Sequence, residues 1–566
     1  MISRPDALKA LAGERFDVAV IGGGITGAGV ALDAASRGYS VVLLERADFA
    51  SGTSSRSSKL VHGGLRYLRQ FELGLVREAL IERQLLVALA PHLVRPLPIL
   101  VPAFDGARPD RLVGVGLNLY DVMSRGSGRS AARRSRRSAN STSAAEESWS
   151  PARHRVVDGA EVVELLPALA RREPTAGYLF YDCQTDDARL VLTVLAEAER
   201  FGAICANDLS VEELVIERGR AAGVLARDGS SGEGLRVRAE HVVNATGVWA
   251  DRLRGEELHH ETELPQIRPS RGTHITLASE AVPLRAGAIV PAGGGRTIFA
   301  LPWLGRTLIG TTDNDYEGEL EHIAPATEDI DYLLEATNEF FATRLDYGDV
   351  TGAFAGVRPL ISSGDAKTSV DISRKAELYE TSSGMITITG GKLTTFRRMA
   401  KMTVDRIVER DALDAPCRTH EIQLGEPVAP EELPRVPGVR EEAYAALAAR
   451  YGHTAAQVLG IARERVQLAA PIVPGFPDLL AEAVYAVRRE QARGIGDVLL
   501  RRTRLGLLAA RELGFEDAPA LAALASVIGE ELGWDLPARR AEIERFVAEA
   551  EAEGIVATPS SRASAA

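Results

Sequence analysis

The chain has 566 residues, too many for one hydrophobic core, and its length predicts about three to four domain-sized units. Hydrophobic residues make up 45% of the chain and charged residues 25%, as in an ordinary globular protein. The formal net charge of −12 excludes a general attraction to nucleic acid or to an anionic membrane, so an anion site on this chain must be local.

The cysteines and the hydropathy pattern indicate the cellular compartment in which the protein is expected. Cys183, Cys205 and Cys417 lie far apart and offer neither a disulfide framework nor a CxxC metal pair, which fits a reducing compartment. Residues 1–17 lack the apolar core of a secretory signal, and the most apolar later region, residues 85–104, is interrupted by prolines. We therefore expect a cytoplasmic protein without a membrane span and without a bound metal.

Residues 17–45 predict a strand–helix–strand unit that binds a dinucleotide. A short apolar strand leads into Gly22, Gly24 and Gly27, spaced G-x-G-x-x-G, and a second strand ends on Glu45, 18 residues after Gly27. Such glycines allow a tight turn and let a pyrophosphate approach the helix N-terminus, where free N–H groups favour anions. Glu45 is predicted to accept hydrogen bonds from the adenosine ribose, and its charge argues against a 2′-phosphate.

Residues 53–68, TSSRSSKLVHGGLRYL, are unlike an ordinary helix or strand. Small residues alternate with cations, so the backbone can lie against a flat ring system and the last cation suits an anionic substrate group. Composition alone leaves a solvated serine-rich loop as the alternative. The residues assigned to the cofactor are Thr53, Ser54, Ser55, Ser58, Lys59, His62, Gly63 and Gly64, and those assigned to the substrate are Arg66 and Tyr67.

Three later segments are predicted to meet the same cofactor. Residues 241–247 predict a strand that ends in Asn-Ala-Thr-Gly, and residues 310–313 predict a turn. Residues 390–396, GGKLTTF, place two glycines before a helix whose dipole would favour a negatively charged ring, although an ordinary glycine-entered helix is the alternative. The residues assigned to the cofactor here are Ala245, Thr246, Gly247, Asp313, Gly391, Lys392, Leu393 and Thr394.

Residues 124–150 differ from the rest of the chain because they hold six arginines, many serines and almost nothing apolar before Trp149. This composition predicts a mobile loop. A solvated surface insertion is favoured over a contact with anionic lipid headgroups. A nucleic-acid-binding role is disfavoured by the acidic total charge and by the lack of interleaved aromatic residues.

Together these segments resemble the FAD-dependent glycerol-3-phosphate dehydrogenases, which belong to the flavoprotein group of the D-amino-acid-oxidase-like enzymes. The similarity spans nearly the whole chain. The matching stretches, in order, are IGGGITGAGVALDAASRG, LLERADFASGTSSRSSKLVHGGLRYL, YDCQTDDARLVL, VNATGVWAD, GTHI, PW, IGTTD, GVRPL, GGKLTTF and DVLLRRTRLGL.

The resemblance implies an α/β fold with a Rossmann-like FAD-binding domain, a β-rich substrate domain and a C-terminal all-α domain. It also implies that FAD takes a hydride from C2 of sn-glycerol 3-phosphate, giving dihydroxyacetone phosphate, and that a quinone is the eventual acceptor. The expected FAD-binding domain combines residues 1–90, 181–255 and 381–412, and the substrate domain combines residues 91–180 and 256–380. The helical domain is expected at residues 413–555 and a disordered tail at 556–566.

Such a reaction needs cations for the phosphate and a base for the hydroxyl proton. The cations predicted to converge on the substrate are Arg66, Arg358, Arg374 and Lys392, together with Tyr67. His274 is the favoured base, although a histidine on a strand is more often structural. Arg358 is the rival for acid–base work, although a guanidinium is a poor base.

Other functions remain alternatives at this point. A glycerol-3-phosphate oxidase would pass the electrons to O2 and release hydrogen peroxide. An amino-acid or N-methyl-amine oxidase on the same fold would need only one arginine for a carboxylate. From the resemblance we expect a peripheral protein on the inner face of the cell membrane, with residues 124–150 or 501–504 as contact sites, and a homodimer as a candidate assembly.

Overall fold

A computed structural model describes residues 1–70, 72–107, 109–138, 151–255, 266–362 and 375–559. Its α-helices are α1 (Arg4–Gly13), α2 (Ile25–Ser36), α3 (Leu73–Leu89), α4 (Arg111–Ser138), α5 (Gly159–Leu165), α6 (Asp187–Arg200), α7 (Ala250–Gly255), α8 (Thr327–Phe341), α9 (Phe396–Arg410), α10 (Glu441–Tyr451), α11 (Ala455–Glu464), α12 (Leu480–Glu490), α13 (Leu505–Leu508), α14 (Ala510–Leu513), α15 (Pro519–Leu532) and α16 (Leu536–Ala552).

The β-strands are β1 (Arg15–Ile21), β2 (Val41–Leu44), β3 (Leu60–Val61), β4 (Arg95–Ala103), β5 (Arg155–Asp158), β6 (Ala176–Gln184), β7 (Ile204–Ala206), β8 (Leu209–Glu217), β9 (Arg220–Asp228), β10 (Gly234–Asn244), β11 (Gln266–Ala278), β12 (Gly287–Ala292), β13 (Arg296–Trp303), β14 (Arg306–Gly310), β15 (Asn314–Asp315), β16 (Val350–Ser362), β17 (Ala376–Glu380) and β18 (Ile386–Gly390).

The first sheet has a parallel centre, in the order β17-β18-β10-β1-β2-β7, and β9 and β8 extend it from β10. Strand β2 and residues 18–21 of β1 are apolar and buried because both faces of the sheet are covered there, as expected for parallel strands. Helices α2, α6 and α9 bury one face in a common core. Helix α1 and strands β8 and β9 contribute to the core on the other face. The carboxyl ends of β1 and β10 therefore meet beside the N-terminus of α2.

The second sheet is mainly antiparallel and follows the order β15-β11-β14-β13-β12-β4-β6-β3, with β16 added on β11 and β5 on β6. Strands β11 and β16 pair over almost their full length, with Ser270 opposite Arg358 and His274 opposite Phe354. Because side chains alternate between the faces of a strand, positions 270, 272 and 274 share one face of β11. Helix α8 packs on this sheet in a separate apolar core.

The C-terminal helices form a third layer that shares its core with the second sheet. One apolar cluster joins helices α10 to α16 to Trp303 of β13 and Phe354 of β16. The end of this layer also returns to the second sheet, since the amide of Ala353 donates to the carbonyl of Ile555 at 2.9 Å. The helical region is therefore fused to the sheet that carries His274 and Arg358.

The structure differs from the predicted domain limits at particular strands. β17 lies in the first sheet, although residues up to 380 were assigned to the substrate domain. β3 and all of β6 lie in the second sheet, although residues 1–90 and 181–255 were assigned to the FAD-binding domain. Ala557 is buried within the predicted tail, whose residues 560–566 lie outside the described part of the chain.

The predicted mobile loop at residues 124–150 is wrong over its first half. Helix α4 continues to Ser138, and residues 139–150 lie outside the described part of the chain. Arginine and alanine are good helix formers, so a segment with few apolar residues can extend a helix that an apolar segment has started. Within the described ranges, no helix combines the length and the apolar composition that crossing a membrane requires.

Candidate active site

A cavity of about 1340 Å³ lies between the two sheets. Its wall is formed by the N-terminus of α2, the loop of residues 51–65, strands β11 and β16, the end of β18 and the first turns of α4. The residues that line the cavity come from positions 21 to 394 of the sequence.

The glycine turn after β1 forms one end of this cavity. Gly22 has φ +108°, and a Cβ there would stand 2.7 Å from the carbonyl oxygen of Ala245, so only glycine fits. Gly24 precedes the first residue of α2 and lines the cavity together with Gly22. Gly27 does not line it; a Cβ at that position would meet the carbonyl oxygen of Gly22 at 1.9 Å, so Gly27 permits close packing of the helix on the turn.

Glu45 closes the same end of the cavity. Its carboxylate accepts hydrogen bonds from the amides of Gly23 at 2.6 Å and Ala47 at 2.9 Å. Burial raises the pKa of Glu45, and these two amides act in the opposite direction. The carboxylate is thus fixed beside the turn, at the place where the sequence predicted the adenosine ribose.

The loop of residues 51–65 forms the next part of the wall. Thr53 donates to the carbonyl of Val357 at 2.6 Å, which ties the loop to β16. The amide of Ile25 donates to Ser54 Oγ at 2.9 Å, so this loop also caps α2. Arg56 pairs with Glu553, with Nη2 and Oε1 2.7 Å apart. The predicted residues of this loop that line the cavity are Thr53, Ser54, Ser58, His62 and Gly64.

Other predicted cofactor residues support the wall from behind. Ser55, Lys59, Gly63 and Asp313 do not line the cavity. Lys59 is fully buried, and its Nζ lies 2.8 Å from Asp187 Oδ2. Burial, and then Arg504, lower the pKa of Lys59 to about 7. A buried carboxylate therefore engages the side chain of Lys59 outside the cavity wall, and a contact of Lys59 with the cofactor stays a prediction.

Two residues that the sequence did not suggest hold the Gly63 backbone. The amide of Gly63 donates to the hydroxyl oxygen of Tyr120 at 2.8 Å, and this hydroxyl donates to Asp182 at 2.7 Å. Burial, and then Asp182, raise the pKa of Tyr120 well above its ordinary value, so the hydroxyl keeps its proton. Tyr120 lies on α4, more than fifty residues from Gly63, and only the tertiary structure shows the contact.

His274 lies in the wall with its ring between two sheet neighbours. It stacks on Phe354 at a centroid distance of 4.8 Å, and a Cβ at Gly310 would meet its ring at 2.3 Å. Its Nε2 is 2.9 Å from Ser58 Oγ, and its Nδ1 has no hydrogen-bond partner in the described part of the chain. Burial, followed by Lys59 and Arg358, lowers its pKa well below 6.5, so the ring is neutral at neutral pH.

Arg358 lies on the neighbouring strand and faces the same cavity. Its guanidinium donates to Asp313 at 3.3 Å and to the carbonyl of Thr312 at 3.1 Å. A Cβ at Gly272 would stand 2.5 Å from Arg358 Nη2, so the glycine on β11 makes room for the arginine. Asp313, predicted to contact the cofactor, accepts a hydrogen bond from Arg358 and does not line the cavity.

Lys392 and Tyr67 meet on the opposite side of the cavity. Lys392 Nζ lies 3.8 Å from the centroid of the Tyr67 ring, and both residues line the cavity. Lys392 precedes a 3-10 turn, Leu393–Thr395, that leads directly into α9. The other predicted cofactor residues that line the cavity in this region are Ala245, Thr246, Gly247, Gly391, Leu393 and Thr394. The side chain of Arg66 and the whole of Arg374 lie outside the described part of the structure.

Comparison with known proteins agrees with the predicted FAD-binding fold. Residues 17–406 match the family model described as FAD dependent oxidoreductase, and residues 387–539 match the C-terminal domain of alpha-glycerophosphate oxidase. The chain is 36% identical over 561 residues to Glycerol-3-phosphate dehydrogenase 2 of Mycobacterium tuberculosis (strain ATCC 25618 / H37Rv), covering 97% of this chain and 90% of that protein. The chain belongs to the FAD-dependent glycerol-3-phosphate dehydrogenase family.

Two further family members extend this result. The aerobic glycerol-3-phosphate dehydrogenase of Bacillus subtilis (strain 168) is 35% identical over 522 residues, which is 89% of each chain. The X-ray structure of the glycerol-3-phosphate dehydrogenase from Bacillus halodurans complexed with FAD superposes with a TM-score of 0.76 at 29% identity, covering 98% of both chains. These comparisons confirm the predicted fold class. They also confirm FAD as the cofactor of this member of the glycerol-3-phosphate dehydrogenase family.

The residues present fit FAD. The turn at Gly22 leaves a space that a Cβ would fill, and the N-terminus of α2 faces it. Helix N-termini favour the negative charge of a pyrophosphate. The cavity continues from this turn past the loop of residues 51–65 to Lys392, and its volume exceeds the several hundred Å³ typical of small-ligand sites.

Proposed function

We propose that this chain oxidises sn-glycerol 3-phosphate to dihydroxyacetone phosphate. The observation that carries the proposal is one cavity that joins a dinucleotide turn to a neutral histidine and two separate cations, His274, Arg358 and Lys392. The relatives that cover nearly the whole chain are named for the same substrate. Bound FAD supplies the two-electron oxidant that takes the hydride from C2 of the substrate.

The chain's own residues hold the cofactor along the length of the cavity. Gly22, Gly24 and Glu45 hold the pyrophosphate and the adenosine ribose. The loop carrying Thr53 and Ser58 supports the ring system. The turn at Gly391 and Thr394 meets the opposite end, where the N-terminus of the following helix favours negative charge on the ring.

Substrate binding is assigned to the cations that line the cavity. A phosphate dianion needs several positive donors, and a planar guanidinium binds it in a forked geometry. Arg358 and Lys392 supply charge, and Tyr67 supplies a hydroxyl and supports Lys392 through its ring face. Arg66 and Arg374 remain predicted contributors.

We assign to His274 the role of the base that accepts the proton of the substrate's C2 hydroxyl. A neutral imidazole can accept a proton, and burial keeps this ring neutral. Ser58, which lines the cavity 2.9 Å from Nε2, can relay the proton: its hydroxyl accepts the proton of the substrate hydroxyl and donates its own to Nε2. Arg358 then stabilises the negative charge that develops on the substrate oxygen rather than acting as the base.

The test is an anaerobic titration of the purified holoprotein, followed by flavin absorbance. We expect the flavin band near its visible maximum to bleach with glycerol 3-phosphate and to stay unchanged with glycerol, which lacks the phosphate. Bleaching with glycine or sarcosine in place of glycerol 3-phosphate would favour the amine-oxidase alternative and contradict the proposal.

For the electron acceptor we propose a quinone, because the family members compared above are named dehydrogenases. The alternative is O2, with release of hydrogen peroxide. Reduced holoprotein is mixed with a soluble quinone analogue or with air-saturated buffer, and flavin reoxidation is timed in each. We expect fast reoxidation by the quinone and slow reoxidation in air; rapid stoichiometric peroxide would establish the oxidase.

We also propose that α4 docks on an anionic lipid surface on the cytoplasmic face of the cell membrane, where a lipid-soluble quinone is available. Leu112, Val115, Leu119 and Val122 are 80%, 67%, 38% and 66% exposed, and their spacing places them on one helical face. In sequence, six arginines follow in the same helix. An exposed apolar stripe with basic residues is typical of a helix that lies in a membrane interface. A homodimer remains a prediction.

A further inference from the structure

Three arginines of the C-terminal helical region contact the loop of residues 51–65, or residues next to it, at positions that do not line the cavity. We call residues 48–59 the cofactor loop. Arg501 Nε and Arg502 Nη1 donate to Asp48 Oδ2 at 2.6 and 2.7 Å. Arg504 Nη2 donates to Asp187 Oδ1 at 3.0 Å and to the carbonyl of Ser55 at 2.7 Å. We call residues 497–504 the arginine turn. The prediction that residues 501–504 form an exposed membrane contact is wrong, because all three side chains are buried.

These contacts reach the cavity wall through the loop backbone. Asp187 accepts hydrogen bonds from both the amide and the hydroxyl of Ser57, at 3.0 and 2.7 Å. Lys59 Nζ donates to the same carboxylate and to the carbonyl of Ser55, at 2.8 and 2.7 Å. Ser58, between these anchored residues, lines the cavity and contacts His274. The loop is therefore fixed on both sides of Ser58.

The ion pairs of the arginine turn lie in the protein interior. Asp187, Arg502 and Arg504 are fully buried, and Asp48 is nearly so. Burial raises the pKa of Asp48, but Arg502 and Arg501 outweigh it and the pKa is lowered. Removing charges from water offsets most of the attraction between them, so buried pairs often add little to stability and in some proteins specify one conformation instead. In this chain the pairs join the arginine turn to Asp48 and to Asp187, the carboxylate that also holds Ser57 and Lys59.

The backbone of the arginine turn is itself unusual. Residues Asp497–Arg502 form a π-helical turn, and Arg504 has φ +68°, in the left-handed region that favours glycine. Such a conformation persists where surrounding contacts determine it. Arg504 donates to the carbonyl of Leu500 at 2.7 Å as well as to the loop, so one guanidinium joins both segments.

We propose that the arginine turn is a positioning element for FAD. Docking of residues 497–504 holds residues 48–59 in the conformation that binds FAD. Binding of FAD and docking of the C-terminal helical region are then thermodynamically linked, and each strengthens the other. Arg501, Arg502 and Arg504 do not line the cavity, so they act on the cofactor only through the loop.

The variants Arg504→Met and Arg502→Met test this proposal, with Arg450→Met as the matched control. Arg450 is also buried, at 8% exposure, but its partners Asp478 and Glu482 belong to the same helical region, and its Nη2 lies 2.6 Å from Asp478. FAD is removed from each folded protein, and the Kd for FAD is measured by quenching of flavin fluorescence. We expect Arg504→Met and Arg502→Met to raise the Kd at least about tenfold, within the range of typical coupling between sites.

The control separates positioning from loss of stability. Arg450→Met is expected to lower the melting temperature but to leave the Kd for FAD within about twofold of the original protein. An equal rise in Kd for Arg450→Met, or an unchanged Kd in folded Arg504→Met, overturns the proposal.

Hydrogen exchange of the unmodified protein gives a second test that needs no variant. Adding FAD to the apoprotein is expected to slow amide exchange in residues 53–59 and, together with them, in residues 497–504. Residues 497–504 do not line the cavity, so slower exchange there would show that FAD binding and docking of this segment are linked. Exchange in residues 497–504 that does not change on adding FAD overturns the proposal even where a variant fails to fold.

Discussion

His274 is kept neutral by its surroundings, because burial and two nearby cations disfavour the charged ring. Burial has the largest effect on its pKa, and the nearby charges of Lys59 and Arg358 act in the same direction. Its hydrogen bond to Ser58 and its stacking on Phe354 fix the ring without adding charge. The base that we propose therefore stays unprotonated in mildly acidic solution.

The pH dependence of flavin reduction follows from this pKa. Because the pKa of folded His274 is below 6.5, the neutral form persists as the pH falls through 6.5, and activity should persist with it. We expect kcat/KM for glycerol 3-phosphate to stay flat from pH 7.5 to 6.5 and to fall only in more acidic buffer. His274→Asn should reduce the rate of flavin reduction by a factor on the order of 10² to 10⁴, the usual range for general base catalysis. A loss of activity centred on pH 6.5 would contradict the assignment.

Lys392 is expected to contribute its charge to the phosphate site. Lys392→Met keeps the length of the side chain and removes the charge, and we expect kcat/KM for glycerol 3-phosphate to fall by a factor on the order of 10², or about 3 kcal/mol. The matched control is Lys401→Met, since Lys401 lies on α9, is 41% exposed and pairs with Asp405 on the same helix. Stopped-flow flavin reduction measures both. A change of less than about threefold for Lys392→Met would remove Lys392 from the site.

Helices, strands and turns that depend on a local sequence pattern could be predicted from the sequence. Features that depend on contacts with distant residues could not. The strand–turn–helix at Gly22 was predictable because the glycine spacing has one structural use. The burial of Arg504 was not, because its partner Asp187 lies 317 positions earlier and charge alone favours an exposed surface. The length of α4 was missed because its basic half has no apolar periodicity.

Helix α4 offers a prediction about the membrane surface. The double variant Val115→Ser/Val122→Ser removes half of the exposed stripe without changing a residue that lines the cavity, and we expect less protein to sediment with vesicles that contain phosphatidylglycerol. Leu536→Ser is the matched control, since Leu536 is 78% exposed and begins α16. Sedimentation equal to that of the control would refute a role of this face. Raising the salt concentration should weaken the binding of all three proteins, because it screens the basic residues.

At the scale of the molecule, the cavity depends on both sheets at once. Gly22 and Lys392 come from the first sheet and its helices, and His274 and Arg358 come from the second. The sequence identified the members of this set from their motifs, but not the residues that support them. Tyr120 and Asp182 had no local pattern to mark them, since their function lies in contacts across the fold.

Removal of FAD is therefore expected to lower the stability of the whole molecule. A ligand that binds only the folded state at 100 times its Kd adds about 2.7 kcal/mol to the free energy of unfolding. We expect a lower melting temperature for the apoprotein, by differential scanning calorimetry, and recovery on adding FAD. Adding FMN is the control; because it lacks the adenosine that Gly22 and Glu45 are proposed to hold, it should restore less. Equal recovery with FMN would contradict the assignment of that end of the cavity.

The pairing of Arg56 with Glu553 has a consequence for biosynthesis. The two residues are separated by 497 positions, and Arg56 belongs to the loop that lines the cavity. Strands β1 and β2 leave the ribosome early, whereas the contact between Arg56 and Glu553 can form only after nearly all of the chain has been translated. The loop of residues 51–65 therefore gains this contact only near the end of translation, long after the last residue that lines the cavity, Thr394, has been synthesised.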